Sequence, residues 1–179
     1  NGTITGAGSL AFGSGATFTF AEGTLSTDGS VVVDGTAVIT GVGVRTVDTA
    51  LVLAGTTALG AAATINGKGD LEISGTTTVS GTGSTMSNDL YISPTGTLQI
   101  NATAHNNMDI TGHSFVNAGL ILLGGSSTNT LQFDVTNTTL RNEGTIQFTN
   151  TESSGIRAIR GNLDNYGSID VDANALITG

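Results

Sequence analysis

The sequence predicts an all-β chain wound as a right-handed parallel β-helix (β-solenoid) of about eight rungs. Three observations carry this. One phrase, an apolar residue, usually a Gly four positions on and two alternating apolar residues, returns eight times, once in a degenerate copy. Within each copy the apolar residues recur every second position, the period of a strand with one buried face. The composition, 27 Gly, one Pro and 37% hydrophobic residues, is that of a turn-dense β protein that still has a core.

The first copies are Ile4-x-Gly6-x-Gly8-x-Leu10-x-Phe12, Leu25-x-Thr27-x-Gly29-x-Val31-x-Val33 and Ile65-x-Gly67-x-Gly69-x-Leu71-x-Ile73. Between the last two lies a degenerate copy, Arg45-x-Val47-x-Thr49-x-Leu51-x-Leu53. Later copies are Ile92-x-Pro94-x-Gly96-x-Leu98-x-Ile100, Phe115-x-Asn117-x-Gly119-x-Ile121-x-Leu123, Leu140-x-Asn142-x-Gly144-x-Ile146-x-Phe148 and Leu163-x-Asn165-x-Gly167-x-Ile169-x-Val171. With the residue two after the Gly position as ruler, the copies lie 21, 20, 20, 27, 23, 25 and 23 residues apart, a period that signals stacked supersecondary units.

A second phrase follows at fixed offset in Gly35-Thr36-Ala37-Val38-Ile39, Gly55-Thr56-Thr57-Ala58-Leu59 and Gly75-Thr76-Thr77-Thr78-Val79. Each period therefore holds two or three short strands, and equivalent strands of successive rungs pair in parallel with right-handed crossovers. Eight rungs at the strand spacing make a rod roughly 40 Å long. The departures from the period, Ser80 to Asn88, Gly124 to Asn129 and Thr149 to Gly155, are expected as protruding loops. Hairpin-like Asp28-Gly29, Asp34-Gly35 and Asn66-Gly67 suggest an antiparallel sandwich as the competing fold. The register, which runs from Ile4 to Val171 with no internal linker, favours a single solenoid domain over residues 1–179.

Charge and composition exclude several functions. With no Cys there is no disulfide, thiol nucleophile or thiolate metal site. A net charge of −9 and only Arg45, Lys68, Arg141, Arg157 and Arg160 as basic residues argue against nucleic acid or an anionic membrane as partner. The longest apolar runs, such as Leu120-Ile121-Leu122-Leu123, are too short to span a bilayer.

Two slots invite a structural reading. Asn117, Asn142 and Asn165 share the position before the Gly, which Pro94, Gly67, Thr27 and Gly6 hold in other copies. Stacked there, their amides can bond along the axis as a ladder; equally, Asn is common at corners because it tolerates turn conformations. The corner glycines Gly8, Gly29, Gly69, Gly96, Gly119, Gly144 and Gly167 fit a bend with positive φ or a corner too tight for a Cβ.

The phrases Asn142-Glu143-Gly144-Thr145-Ile146 and Asn165-Tyr166-Gly167-Ser168-Ile169 resemble the rungs of bacterial secreted β-helix adhesins, the passenger domains of autotransporters and the filamentous-haemagglutinin type of exoprotein. The resemblance covers nearly the whole chain at the level of rung pattern. It implies an extracellular or bacterial cell-surface stalk used in attachment, with a host or neighbouring-cell surface as partner.

Motifs for chemistry are sparse. His105 and His113 have no carboxylate at metal-ligand spacing, and no nucleophile elbow or phosphate-binding loop occurs. Asp170-Val171-Asp172 imitates the start of a calcium loop but lacks its later Gly and Glu, so no metal or cofactor is expected. The predicted outward column Ala11, Val32, Val52, Glu72, Gln99, Leu122, Gln147 and Asp170 holds two distant carboxylates, a poor acid/base pair. Phe12, Phe115, Phe133 and Phe148 fall at core positions, which leaves few aromatic platforms for sugars. Ice binding would need a flat, unbroken Thr column, and the predicted column Ser9, Ser30, Ala50, Asp70, Thr97, Leu120, Thr145 and Ser168 is too irregular.

The sequence thus points to a non-catalytic structural or adhesive solenoid without cofactor. Competing readings are a subunit of a self-assembling extracellular filament and a polysaccharide-degrading β-helix enzyme. With Ile4 in the first rung and Leu176 and Ile177 near the last residue, no capping segment is left over, and the chain is expected to be cut from a longer solenoid or to stack end to end with like subunits.

Overall fold

The computed structural model describes residues 2–101, 106–125, 130–149 and 155–179. Every strand pair among them is parallel, and each strand bonds to counterparts one turn before and after. The result is a β-solenoid of about eight turns with three strands per turn, and hence three faces. No helix is present among the described residues.

Face 1 stacks Gly2–Gly6, Gly23–Thr27, Val44–Val47, Thr64–Asn66, Ser84–Met86, Asn106–Ile110, the first halves of Leu131–Asn142 and Ile156–Asn165, and Asn174–Thr178. Face 2 stacks Leu10–Phe12, Val31–Val33, Leu51–Leu53, Leu71–Ile73, Leu90–Ile92, Phe115–Asn117 and the second halves of those two long strands. Face 3 stacks Thr17–Thr19, Thr36–Ile39, Thr56–Leu59, Thr76–Ser80, Thr97–Asn101, Leu120–Gly124, Thr145–Phe148 and Ser168–Val171. The antiparallel sandwich is excluded by the parallel pairing.

The core is built by period-two alternation. On face 2, Val31, Leu51, Leu71, Leu90, Phe115 and Leu140 point inward and stack; on face 3, Leu98, Ile121 and Ile146 do the same. Each such side chain contributes about 1.5–3 kcal/mol by leaving water. Phe115 and Phe133 meet edge to face at 5.9 Å, while Phe12, only partly buried, packs at 4.7 Å on Phe18.

Pairing corrects the predicted register. Leu10, Val31, Leu51 and Leu71 lie on face 2, whereas Leu98, Ile121, Ile146 and Ile169 lie on face 3. The partner of Leu71 is Leu90, 19 residues on, and the 27-residue interval in the ruler marks a jump from one face to the next. Two different corners carry the same phrase, so the predicted glycine column is two columns. Gly8, Gly29 and Gly69 belong to the corner between faces 1 and 2. Gly96, Gly119, Gly144 and Gly167 belong to the corner between faces 2 and 3, where they continue Gly35, Gly55 and Gly75.

In that second column the cause is close approach. A Cβ on Gly144 would overlap the carbonyl oxygen of Gly119, and one on Gly167 that of Gly144. Neither has positive φ, so the constraint is space between turns, not left-handed backbone. Of the expected loops, Ser80 to Asn88 contains the face 1 strand Ser84–Met86; most of the other two falls outside the described residues.

Inward and outward neighbours on one strand separate cleanly in their predicted response. Ile146→Asp places a charge among Ile121 and Ile169 and is expected to cost more than about 3 kcal/mol; half-buried Gln147→Asp is expected to stay within about 0.5 kcal/mol. Urea midpoints of the two variants check the register.

Candidate functional site

Pairing places Asn117, Asn142 and Asn165 in one column at the end of face 2. The Nδ2 of Asn117 donates to Oδ1 of Asn142 at 2.7 Å, and the Nδ2 of Asn142 donates to Oδ1 of Asn165 at 2.6 Å. The same two amides also donate to the carbonyls of Thr145 and Ser168, at 3.1 and 3.2 Å. Asn117 and Asn142 are fully buried, so the column is internal and serves stability. Its occupants in earlier turns are Ile92, Ile73, Leu53, Val33 and Phe12, not Pro94, Gly67, Thr27 and Gly6. The four-residue corner Ser93 to Gly96, against the two residues Ala118 and Gly119 one turn later, caused the misalignment. Because Ile92 offers no donor, Oδ1 of Asn117 is left without a partner.

Two of the five basic residues, Arg45 and Arg157, are buried inward. Arg45 stacks between Gly23 and Ile65, and its guanidinium donates to the carbonyls of Phe20 at 2.7 Å, Gly41 at 3.1 Å, Gly43 and Thr40. Arg157, inward between Leu131 and Ala175, donates to the carbonyl of Gly125 at 3.0 Å. Burial lowers the affinity of both for their proton, opposed at Arg45 by Glu22. Each thus ties a corner between faces 3 and 1 by satisfying backbone carbonyls. The signal was present in the degenerate copy, where Arg45 occupies an apolar slot.

Among the described residues no three His, Asp or Glu side chains are placed to hold a metal ion. Asp170 is exposed on face 3 beside Gln147, and Asp172 lies beyond that strand. His113 sits exposed on a corner whose backbone N–H bonds to Asp89; His105 lies outside the described residues.

Asp109, Asp134 and Arg160 occupy successive turns of face 1, pointing outward. Two carboxylates one strand spacing apart, about 4.8 Å, approach the separation of a retaining glycosidase pair. One oxygen of each, Oδ1, is shut off from solvent and lacks a partner, and both side chains are half-buried, an unfavourable setting for a pair that must meet a substrate. Burial, reinforced by Asp109 and opposed by Arg160, raises the pKa of Asp134.

Face 3 presents the most regular surface. The pairing Thr17, Thr36, Thr56, Thr76 and Thr97 puts a threonine at one outward position in five consecutive turns, continued by Leu120, Thr145 and Ser168. The parallel column reads Thr19, Val38, Ala58, Thr78, Gln99, Leu122, Gln147 and Asp170. No charge stands at these positions before Asp170. The predicted outward and Thr columns had each spliced face 2 onto face 3; face 2 continues instead from Glu72 to exposed Tyr91, then Val116 and Arg141. Arg141 pairs with Glu143 at 2.6 Å and lies 5.4 Å over the Tyr166 ring.

No family model, curated protein or solved structure matches the chain.

Two outcomes test this geometry. Asn142→Leu breaks the amide column at its centre and is expected to cost about 1–2 kcal/mol, since the buried Asn117 amide keeps only the Thr145 carbonyl, whereas exposed Asn165→Leu costs less; urea titration compares them. Because the fold raises the Asp134 pKa, its ionised form is disfavoured in the native state. The penalty is present at neutral pH and disappears as pH falls below the unfolded-state value. Asp134→Asn is therefore expected to raise the denaturation midpoint at pH 7, with a gap that closes on acidification.

Proposed function

We propose that this chain is a non-catalytic extracellular structural and adhesive β-solenoid, a stiff segment that displays regular faces toward a host or neighbouring-cell surface. The observation that carries the reading is the unbroken parallel ladder through eight turns around an interior filled by side chains. Such a body has little enclosed space for a substrate, and its outer faces are what it offers to the medium. The likeness of the Asn142 to Ile146 and Asn165 to Ile169 phrases to secreted β-helix adhesins supports the same reading. No cofactor belongs to it.

The enzyme reading has one observation in its favour, the stacked Asp109 and Asp134, and their occluded oxygens weigh against it.

Beads coated with the chain, passed over cultured cells and abiotic surfaces under flow, are expected to be retained above beads carrying a globular protein of equal charge. Incubation with acidic and neutral polysaccharides is expected to release no reducing ends. Retention at the control level on all surfaces, or depolymerisation lost in Asp134→Asn, overturns the proposal.

A further inference from the structure

Besides a cell surface, face 3 offers its outward residues to a second kind of extended surface. We propose that face 3 binds ice: the Thr17, Thr36, Thr56, Thr76 and Thr97 column presents a regular row of hydroxyls and methyls to ordered water, beside the uncharged neighbouring column Thr19, Val38, Ala58, Thr78 and Gln99. This goes beyond the adhesive reading and stands or falls apart from it.

The geometry comes from parallel pairing. Successive threonines repeat at the strand spacing of about 4.8 Å, and the two outward columns of a strand lie about 7 Å apart. Both distances are close to oxygen repeats on faces of hexagonal ice. Thr17, Thr36, Thr56 and Thr76 are exposed. Threonine is stiff at χ1, so a column of it holds its hydroxyls and methyls in one array with little entropy left to lose on binding.

Charge segregation is an independent support. The chain carries 14 acidic and five basic residues, yet none stands at an outward position of face 3 in the first seven turns. A charged group orders its own hydration shell at odds with an ice lattice; an uncharged face of this size does not. Other occupants fit poorly. Polyanions need clustered Lys or Arg, and protein partners need Trp, Tyr or Arg anchors. Sugar binding needs aromatic platforms. Face 3 offers none of these outward, because Phe18 and Phe148 are turned into the core.

The test is partition of the fluorescently labelled chain into a slowly grown ice hemisphere, with crystal shape observed in parallel. The wild type is expected to enter the ice and to facet crystals. The double variant Thr56→Lys, Thr76→Lys, whose outward positions allow it to fold as circular dichroism can verify, is expected to stay in the liquid. Val52→Lys, outward on face 2 of the same turn, is expected to partition as the wild type does. Exclusion of the wild type from ice, whether or not it is retained on insoluble polysaccharide, overturns the assignment, and so does ice entry by the folded double variant. Bead retention on cell surfaces reports separately on the adhesive reading, so the two failures are distinguishable.

Discussion

Parallel hydrogen bonding in register, each strand to its counterpart one turn away, is the constraint on which the rest of this molecule depends. It turns a position within a turn into a column along the rod, so a residue is judged by what stands directly above and below it. Gly35, Gly55, Gly75, Gly96, Gly119, Gly144 and Gly167 are spaced irregularly along the chain but stack at one corner, where successive backbones come too close for a Cβ. A turn can lengthen at its corners without disturbing the stack, provided the strands return to their partners.

The same constraint explains which polar groups the interior accepts. An inward amide is tolerated where the next turn supplies its complement, and Asn142 finds one in Asn117 below and Asn165 above. Where a turn offers none, as at Ile92, an acceptor is stranded at a cost of about 1–3 kcal/mol. Arg45 and Arg157 solve the problem differently. Their heads reach corner carbonyls that no strand could satisfy, which couples the corners between faces 3 and 1 to the core.

Outside, register separates chemistry by face. Face 1 collects Asp109, Asp134 and Arg160 in one column, and face 2 carries Glu72, Tyr91 and Arg141. Face 3 keeps threonines and other uncharged side chains through seven turns. Most of the acidic residues, among them Glu22, Asp28, Asp34, Asp48, Asp70, Asp89 and Glu143, stand at the corners between strands, and the net charge of −9 opposes non-specific association. The third face carries no charge at its two outward columns until Asp170 in the last turn.

The sequence by itself determined the fold class, because alternation at period two and recurrence near 20 residues are local properties that survive without coordinates. It also determined that Ile146 and Phe115 are core residues and that Asn117, Asn142 and Asn165 share a column, since these copies have equal corner lengths. Tertiary structure alone decided which face each copy lies on. The corner between faces 1 and 2 and the corner between faces 2 and 3 present the same apolar and glycine pattern, and a pattern of period two carries no label for the face. Only the parallel pairing of Leu71 with Leu90 and of Thr76 with Thr97 resolves it. For that reason the threonine column was only partly legible in the sequence: the second phrase aligned Thr36, Thr56 and Thr76, but Thr97 was joined to Ser9, Ser30, Ala50 and Asp70 instead. The apolar slot of the degenerate copy hinted that Arg45 points inward, but its carbonyl partners were hidden, because they belong to corners brought together by the stacking of turns.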